Sequence, residues 1–256
     1  MESIIDEVEN AVSQGFIEIT LLGQNVNSYK TNLGKFPELL QAVSNVKGVK
    51  RIRYTSPHPQ DMDENLLQVM QDNDNICNYV HLPLQAGSDR ILKRMNRTYD
   101  KKEYLDLVEK IRQYLPESSI STDIIVGFPG ETSADFEKTY NFIEQLKINY
   151  LHVFSYSNRT GTIASELKNQ IPKDVKILRS RSLQKLSNKM RFDFYKNNIN
   201  KVRKVLFESI VDNEYIVGFT DNYIRVMVKG DKNMIKKIFN VKLLFVGEDK
   251  VFGEIY

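Results

Sequence analysis

Apolar positions along the first part of the chain follow two periods in turn, and that alternation predicts an α/β fold. Short β-rich runs fall at residues 17–22, 51–56, 79–84, 120–128 and 150–156. Before and between them the spacing turns helical. Ile4, Ile5, Val8, Ala11 and Val12 share one face, and Leu39, Leu40 and Val43 share another. Leu66, Leu67 and Met70 repeat the pattern, as do Tyr104, Leu107, Val108 and Ile111, and then Phe136, Tyr140 and Ile143. Asp100 with Glu103, and Thr132 with Asp135, fit capping boxes at helix starts. The strand starts lie roughly 30 to 40 residues apart, the size of a βαβ unit. A parallel sheet covered by helices follows, either open or a barrel. These strands are too few for an eight-stranded barrel, and the chain opens on a helix. An absent first strand accounts for both.

After residue 157 the pattern changes. Pro172 begins a long basic helix with apolar positions at Val175, Leu178, Leu183, Leu186, Met190 and Phe194. From Val202 the runs are short and β-rich, at 205–210, 215–219, 223–228, 241–245 and 251–256. Asp212-Asn213, Asp221-Asn222, Gly230-Asp231 and Gly247-Glu248 supply the turns. About 55 residues of this kind suit a small barrel of the type that binds oligonucleotides. The expected organisation is a parallel α/β part, open sheet or barrel, with a basic helix over residues 1–200, followed by a small all-β barrel over 201–256.

Composition narrows the classes. Hydrophobic residues are 41% and charged residues 27%, which excludes disorder and fits a soluble globular protein. No apolar run approaches the roughly 18 residues of a membrane span. The acidic N-terminus is no secretory signal, and the cytoplasm is the expected compartment. The net charge of +3 conceals an asymmetry: residues 159–204 hold 13 Lys/Arg against 3 Asp/Glu, a local balance of +10. That points to a polyanion, with a solvated helix face as the plainer alternative. Cys77 is the single cysteine, so it forms no internal disulfide and by itself holds no iron–sulfur cluster. His58, His81 and His152 are dispersed without zinc-motif spacing, so no metal ligands are predicted.

Ligands of parallel α/β folds sit at the carboxyl ends of the strands. Here those ends read Gly23-Gln24-Asn25, Thr55-Ser56-Pro57-His58-Pro59, Gln85-Ala86-Gly87-Ser88-Asp89, Gly127-Phe128-Pro129-Gly130-Glu131-Thr132 and Ser155-Tyr156-Ser157. Each alone fits a turn, with Ser88 or Thr132 as a simple cap. Together they form a polar rim. Glycine admits close approach to the backbone, and the amides of Gln24, Asn25 and Gln85 suit a ribose or a carboxylate. Loop 130–132 at a helix start favours an anion. His81 and His152 lie inside strands as hydrogen-bonded interior residues, His58 between two prolines is the better functional candidate, and Cys77 is a buried residue. Asp123 and Glu131 bond an amine or cap backbone amides, and the sequence leaves both roles open.

Five motifs carry a family resemblance: ITLLGQNVNSY (19–29), TSPHP (55–59), HLPLQAGSDRILKRMNR (81–97), STDIIVGFPGET (121–132) and YSNRTGT (156–162). In order and spacing they resemble the tRNA methylthiotransferases, which are radical S-adenosylmethionine enzymes, over nearly the whole chain. The last 55 or so residues are similar to the TRAM domain with which that family binds RNA. The resemblance implies an α/β fold, a partial barrel of radical SAM type followed by a TRAM-like barrel. ITLLGQNVNSY and TSPHP are closest to the MiaB type, which methylthiolates C2 of N6-isopentenyladenosine at tRNA position 37. LHVFSYSNRTGT (151–162) and GFTDNYIRV (218–226) also resemble the MtaB type, which acts on N6-threonylcarbamoyladenosine. RimO-type enzymes, which modify a ribosomal protein, match less well at PLQAGSD. A non-catalytic RNA-binding module and an unrelated barrel enzyme acting on a phosphorylated metabolite are the remaining alternatives.

The resemblance further implies S-adenosylmethionine and two 4Fe–4S clusters in the intact enzyme, and the tRNA anticodon loop as partner. It carries Gln24, Asn25, Gln85, Ser88, Asp123, Gly127 and Glu131 to the cofactor side. His58, Arg159, Lys204, Tyr223 and Arg225 go to the substrate side. No catalytic residue is assigned. The departure is that the cluster-binding cysteines of the family, including Cys-x3-Cys-x2-Cys, have no counterpart here. Met1 falls where the sequence just after that motif would begin. The expectation is a carboxy-terminal part that ligates no cluster and is inactive alone.

Overall fold

Strand and helix alternate as the two periods predict. The computed structural model describes residues 1–212 and 214–256, so the Asn213 half of the Asp212-Asn213 turn lies outside the described residues. In chain order the elements are α1 (Glu2–Ser13), β1 (Glu18–Leu21), a short hairpin of β2 (Lys30–Thr31) and β3 (Gly34–Lys35), α2 (Phe36–Ser44), β4 (Arg51–Tyr54) and α3 (Glu64–Asp72). Next come β5 (Tyr79–His81), α4 (Asp89–Arg94), α5 (Lys101–Tyr114), β6 (Ser119–Val126), α6 (Ser133–Leu146), β7 (Tyr150–Ser155), α7 (Ile163–Glu166) and α8 (Lys173–Lys196). The last strands are β8 (Val202–Val211), β9 (Tyr215–Thr220), β10 (Arg225–Lys229), β11 (Ile238–Val246) and β12 (Val251–Ile255). Among the described residues no helix is long and apolar enough to cross a membrane.

Both expected capping boxes form. The Asp100 amide donates to Glu103 and the Glu103 amide to Asp100, each at 2.9 Å. The Thr132 amide donates to Asp135 at 2.9 Å and the Asp135 amide to Thr132 Oγ1 at 3.2 Å. Other details differ from the pattern. β5 ends at His81 rather than at residue 84, because Pro83 has no N–H to give the ladder; the Leu82 and Gln85 amides still reach Ser121 and Asp123 carbonyls at 2.8 Å. β10 starts at Arg225 rather than 223, because Tyr223 stands at φ 66° in a turn closed onto Thr220. The short hairpin, α4 and α7 carried too few periodic positions to be predicted. Two helix faces are rotated: α6 buries Asp135, Thr139 and Phe142 while Phe136 and Tyr140 are half-buried, and α8 leaves Leu178 65% exposed while Arg179 is 8% exposed. In both, a buried charged group with a partner displaces the apolar residue that periodicity favoured.

The chain divides into two compact bodies. The first comprises Met1–Val80, Tyr114–Ser119 and Phe192–Tyr256. In it β1 and β4 pair in parallel, and β8 to β12 close a barrel in the order β10-β12-β11-β8-β9. Val205, Phe207, Ile216, Val226, Val241 and Val251 fill that barrel. At Gly218 an added Cβ would lie 1.9 Å from the Leu206 carbonyl oxygen, so β8 and β9 cross there only because the residue has no side chain. The second body comprises His81–Gln113 and Ile120–Arg191. In it β6 and β7 pair in parallel, with Asp123 opposite His152, and His81, the last residue of β5, lies on the other side of β6.

Inside the first body, β4 holds the small barrel by arginines. Arg51 donates from Nη1 to the Phe219 carbonyl at 2.7 Å and from Nη2 to the Lys204 carbonyl at 2.5 Å. Arg53 donates to the Thr220 carbonyl at 3.0 Å and to Glu18 at 3.3 Å. Its guanidinium also lies over the Tyr223 ring, 5.0 Å from the centroid.

Arg51→Ala removes a buried side chain that reaches two main-chain carbonyls of the barrel, and the unmet acceptors are expected to cost about 3 kcal/mol. The exposed Lys204 side chain is the control, since Lys204→Ala leaves its carbonyl in place and changes stability by less than about 0.5 kcal/mol. Urea unfolding measures both; equal losses would show that the arginine fork supports nothing.

Candidate functional site

In the first body the loops after β1 and β4 are fastened to each other by one asparagine. Asn27, buried, donates to the His58 carbonyl at 2.9 Å and accepts from the His58 amide at 2.6 Å. The Val26 amide adds a bond to the Ser56 carbonyl at 3.3 Å. Asn25 takes a left-handed conformation, φ 52°, that turns the chain into this clasp. Gln24 and Asn25 are exposed and line a cavity of about 640 Å³ with Ile4, Val8, Glu18 and Thr20. That volume suits a small ligand, and the two side-chain amides offer both donors and acceptors to a ribose or an amino-acid carboxylate. His58 is half-buried; its Nδ1 accepts from the Gln60 amide at 3.3 Å.

In the second body the loop 127–132 is held by buried carboxylates. Glu131, 3% exposed, accepts from the Gly127 amide and from Arg179 Nη1, each at 2.6 Å. Burial pushes its carboxyl up, and the Gly127 amide and Arg179 offset only part of that. Gly127 stands at φ 74°, and a Cβ there would meet Lys176 at 2.4 Å, so position 127 is restricted to glycine twice over. Asp135 accepts from Ser88 Oγ at 2.8 Å, from the Thr132 amide at 2.9 Å and from Arg90 Nε at 3.1 Å. Burial alone would raise the Asp135 carboxyl, but the hydrogen bonds from Arg90, Thr132 and Ser88 outweigh it and hold it well below the usual carboxylate range. Arg90 and Arg94 complete the frame by donating to the Gly130 and Pro129 carbonyls at 2.7 and 3.1 Å.

Ser88 and Glu131 are thus turned inward onto protein partners and set the loops. Gln85 is buried at φ 75°, with its amide and carbonyl in the β6 ladder. Asp123 faces two histidines. His81 Nε2 lies 3.3 Å from Asp123 Oδ2, while His81 Nδ1 meets Ser121 Oγ at 2.9 Å. The His152 ring packs edge-on to His81 at 5.2 Å, with Tyr150 behind it at 4.9 Å. Burial, and then the charge His81 would carry, lowers the His152 pKa.

Of the residues expected on the substrate side, Arg159 and Lys204 are exposed. Tyr223 stacks on Tyr79 at 4.6 Å and Phe219 at 4.8 Å, and Arg225 pairs with Asp249, so both are engaged within the first body. Cys77 is buried and its thiol is pushed up to about 11 by that burial. One protonated thiol does not meet the several thiolates that a 4Fe–4S cluster takes. Arg90, Arg94, Arg179 and Asn27 were missed by sequence reasoning. Only Asp135 carried a signal, through its capping box with Thr132.

Residues 1–143 match the Radical SAM superfamily. The tRNA-2-methylthio-N(6)-dimethylallyladenosine synthases of Acetivibrio thermocellus and Carboxydothermus hydrogenoformans are each 41% identical to this chain. They align over 100% and 98% of it and over 54% and 58% of their own lengths. That of Lachnoclostridium phytofermentans is 42% identical over 94% of the chain and 54% of its own length. The chain spans about half the length of these curated relatives. Among solved structures, coproporphyrinogen III oxidase (HemN) from Escherichia coli, a radical SAM enzyme, superposes with TM-score 0.51 at 16% identity, covering 73% of this chain and 46% of that one. Methylornithine synthase gives TM-score 0.51 at 15% identity, covering 72% and 52%. These likenesses show the fold, a partial parallel (β/α) barrel of the radical SAM type, which this chain joins to a small closed β-barrel.

Because the folded Asp135 carboxyl is depressed, its contribution is present above the ordinary carboxylate value of about 4 and is lost as pH falls below it. Asp135→Asn is expected to cost about 2 kcal/mol at neutral pH, allowing for the half-exposed Arg90, and to flatten the acid-side loss of stability. Urea midpoints measured from neutral pH down to about pH 3 compare the two; parallel curves would refute the clamp.

Proposed function

The chain belongs to the radical SAM superfamily, and on that premise we propose that it supplies the cofactor rim and RNA-binding end of a tRNA methylthiotransferase. The substrate we assign is N6-isopentenyladenosine at position 37 of the anticodon loop, methylthiolated at C2. The observation that carries this is identity of 40–42% running along the whole chain, small barrel included, to relatives named for that product. The MtaB-type activity on N6-threonylcarbamoyladenosine is the second reading, favoured by the motifs at 151–162 and 218–226.

In this reading residues 1–200 serve the cofactor and 201–256 act as a TRAM-like RNA module. Gln24, Asn25 and Gln85 bind S-adenosylmethionine through their amides, and the loop at Gly127 admits it closely. Ser88 and Glu131 position their loops, and Asp123 is assigned to the cofactor with them. S-adenosylmethionine and the clusters supply the radical and sulfur chemistry, while the protein binds, orients and excludes water. Arg159 and Lys204, both exposed, meet RNA phosphates; His58, Tyr223 and Arg225 are assigned to the substrate side by the family resemblance alone. With Cys77 as its one thiol, the chain alone is inactive. The cytoplasm, where tRNA is modified, is its compartment.

The test is to join this chain to the amino-terminal half of the Acetivibrio thermocellus relative and analyse tRNA nucleosides by mass spectrometry. Methylthiolated isopentenyladenosine is expected from the fusion and none from the chain alone. Methylthiolated threonylcarbamoyladenosine would select the second reading, and neither product would reject both. RNA contact has its own measure. Contacts to about six phosphates give a log affinity against log salt slope of about −4 to −5. Arg159→Glu with Lys204→Glu is expected to weaken binding of an anticodon stem-loop at least about tenfold and to make the slope shallower by about 2. An unchanged slope would place the RNA elsewhere.

A further inference from the structure

His81, Asp123 and His152 are far apart in the chain but stand side by side on β5, β6 and β7, with Asp123 in direct register with His152. One ligand-capable atom from each lies within 4.8 Å of the others. Two imidazoles and one carboxylate form a borderline donor set, suited to zinc and unlike the all-oxygen sets of magnesium or calcium. We propose that these three residues form a zinc site with a fourth position open to water or an anion.

Three observations support the site. The His81 Nε2 to Asp123 Oδ2 distance is 3.3 Å. A charge-assisted hydrogen bond closes to about 2.7–2.9 Å, whereas ligands about 2.0–2.1 Å from a tetrahedral ion lie roughly 3.3–3.4 Å apart. The separation therefore fits a shared cation better than a direct bond. Second, Ser121 Oγ meets His81 Nδ1 at 2.9 Å and fixes the ring so that Nε2 faces Asp123. Outer partners of this kind orient metal-binding histidines. Third, all three side chains are half-buried, so an ion reaches them from solvent without unfolding. The three ligand atoms lie within 4.8 Å of one another, so side-chain movements of at most about 1.5 Å bring them to tetrahedral spacing. The inference does not depend on the methylthiotransferase assignment, since it rests on this cluster alone.

Calorimetric titration of the chelator-stripped 256-residue chain with Zn²⁺ alone tests it, with Co²⁺ absorption as the second probe. One ion per chain is expected, at micromolar affinity or tighter. His152→Ala and Asp123→Asn should each weaken binding by at least about tenfold, and Ser121→Ala by roughly tenfold through the outer partner. His58→Ala, which removes the remaining histidine, should change nothing. Circular dichroism of the metal-free variants separates lost ligands from lost fold. X-ray absorption of the parent protein needs no variant: two nitrogens and one oxygen from the protein, with one further light ligand from water or an anion, are expected at about 2.0–2.2 Å. Absence of stoichiometric binding, affinity undiminished in both ligand variants, or a zinc shell of other composition would each overturn the site.

Discussion

Arg51 is 4% exposed and carries a full positive charge, and the first body is arranged around meeting its need. A buried guanidinium is stable only when its donors reach acceptors that are themselves held in place. Here the acceptors are main-chain carbonyls at Phe219 and Lys204, on two neighbouring strands of the small barrel. The barrel therefore has to be closed, and in register, before Arg51 can be satisfied. β4 in turn has to pair with β1 to present it, since Glu18 on β1 holds the adjacent Arg53. An apolar strand could have packed beside the barrel in many registers; two arginines with fixed carbonyl partners allow one. The last strands of the chain are thereby built into the same compact body as its first eighty residues.

The same device recurs in the second body with the sign reversed. There the buried charges are carboxylates and the partners are loop amides and arginines. Glu131 closes the loop 127–131 on itself through the Gly127 amide and ties it to α8 through Arg179. Asp135 gathers Ser88, Arg90 and Thr132, which come from two separate rim segments. Rim loops rich in glycine and proline would otherwise sample many conformations. Internal clamps leave the outward backbone of these loops defined without spending the exposed amides. This is the preorganisation that a binding rim requires.

Much of this was legible in the sequence, and for identifiable reasons. Periodicity located the parallel strands and the long helices because burial of one face is a repeating constraint. Capping at Asp100 and Thr132 was legible because both partners lie within four positions. The polar loops at the strand ends were legible from residue type. What escaped were bonds between residues distant in sequence. Arg179 occupies a position in α8 where periodicity favours Leu178, and only the location of Glu131 explains the exchange. Ser88 read as a ligand contact or a cap, while its hydroxyl is committed to Asp135. Tyr223 read as the start of a strand, while its left-handed backbone and its stacking on Tyr79 and Phe219 make it part of a turn.

His81, Asp123 and His152 show why strand pairing creates chemistry that linear spacing hides. A local zinc motif brings ligands together through a turn or a helix, so its spacing is visible in one segment. Parallel strands do the same through register, and register is set by the crossover helices rather than by the residues themselves. Each histidine alone reads as an interior strand residue, and Asp123 alone as a strand-end carboxylate. Their meeting depends on α5 and α6 returning the chain so that residue 123 stands beside 152 with 81 on its other flank. A carboxylate flanked by two imidazoles on a half-buried sheet face is the donor set proposed here to hold a cation.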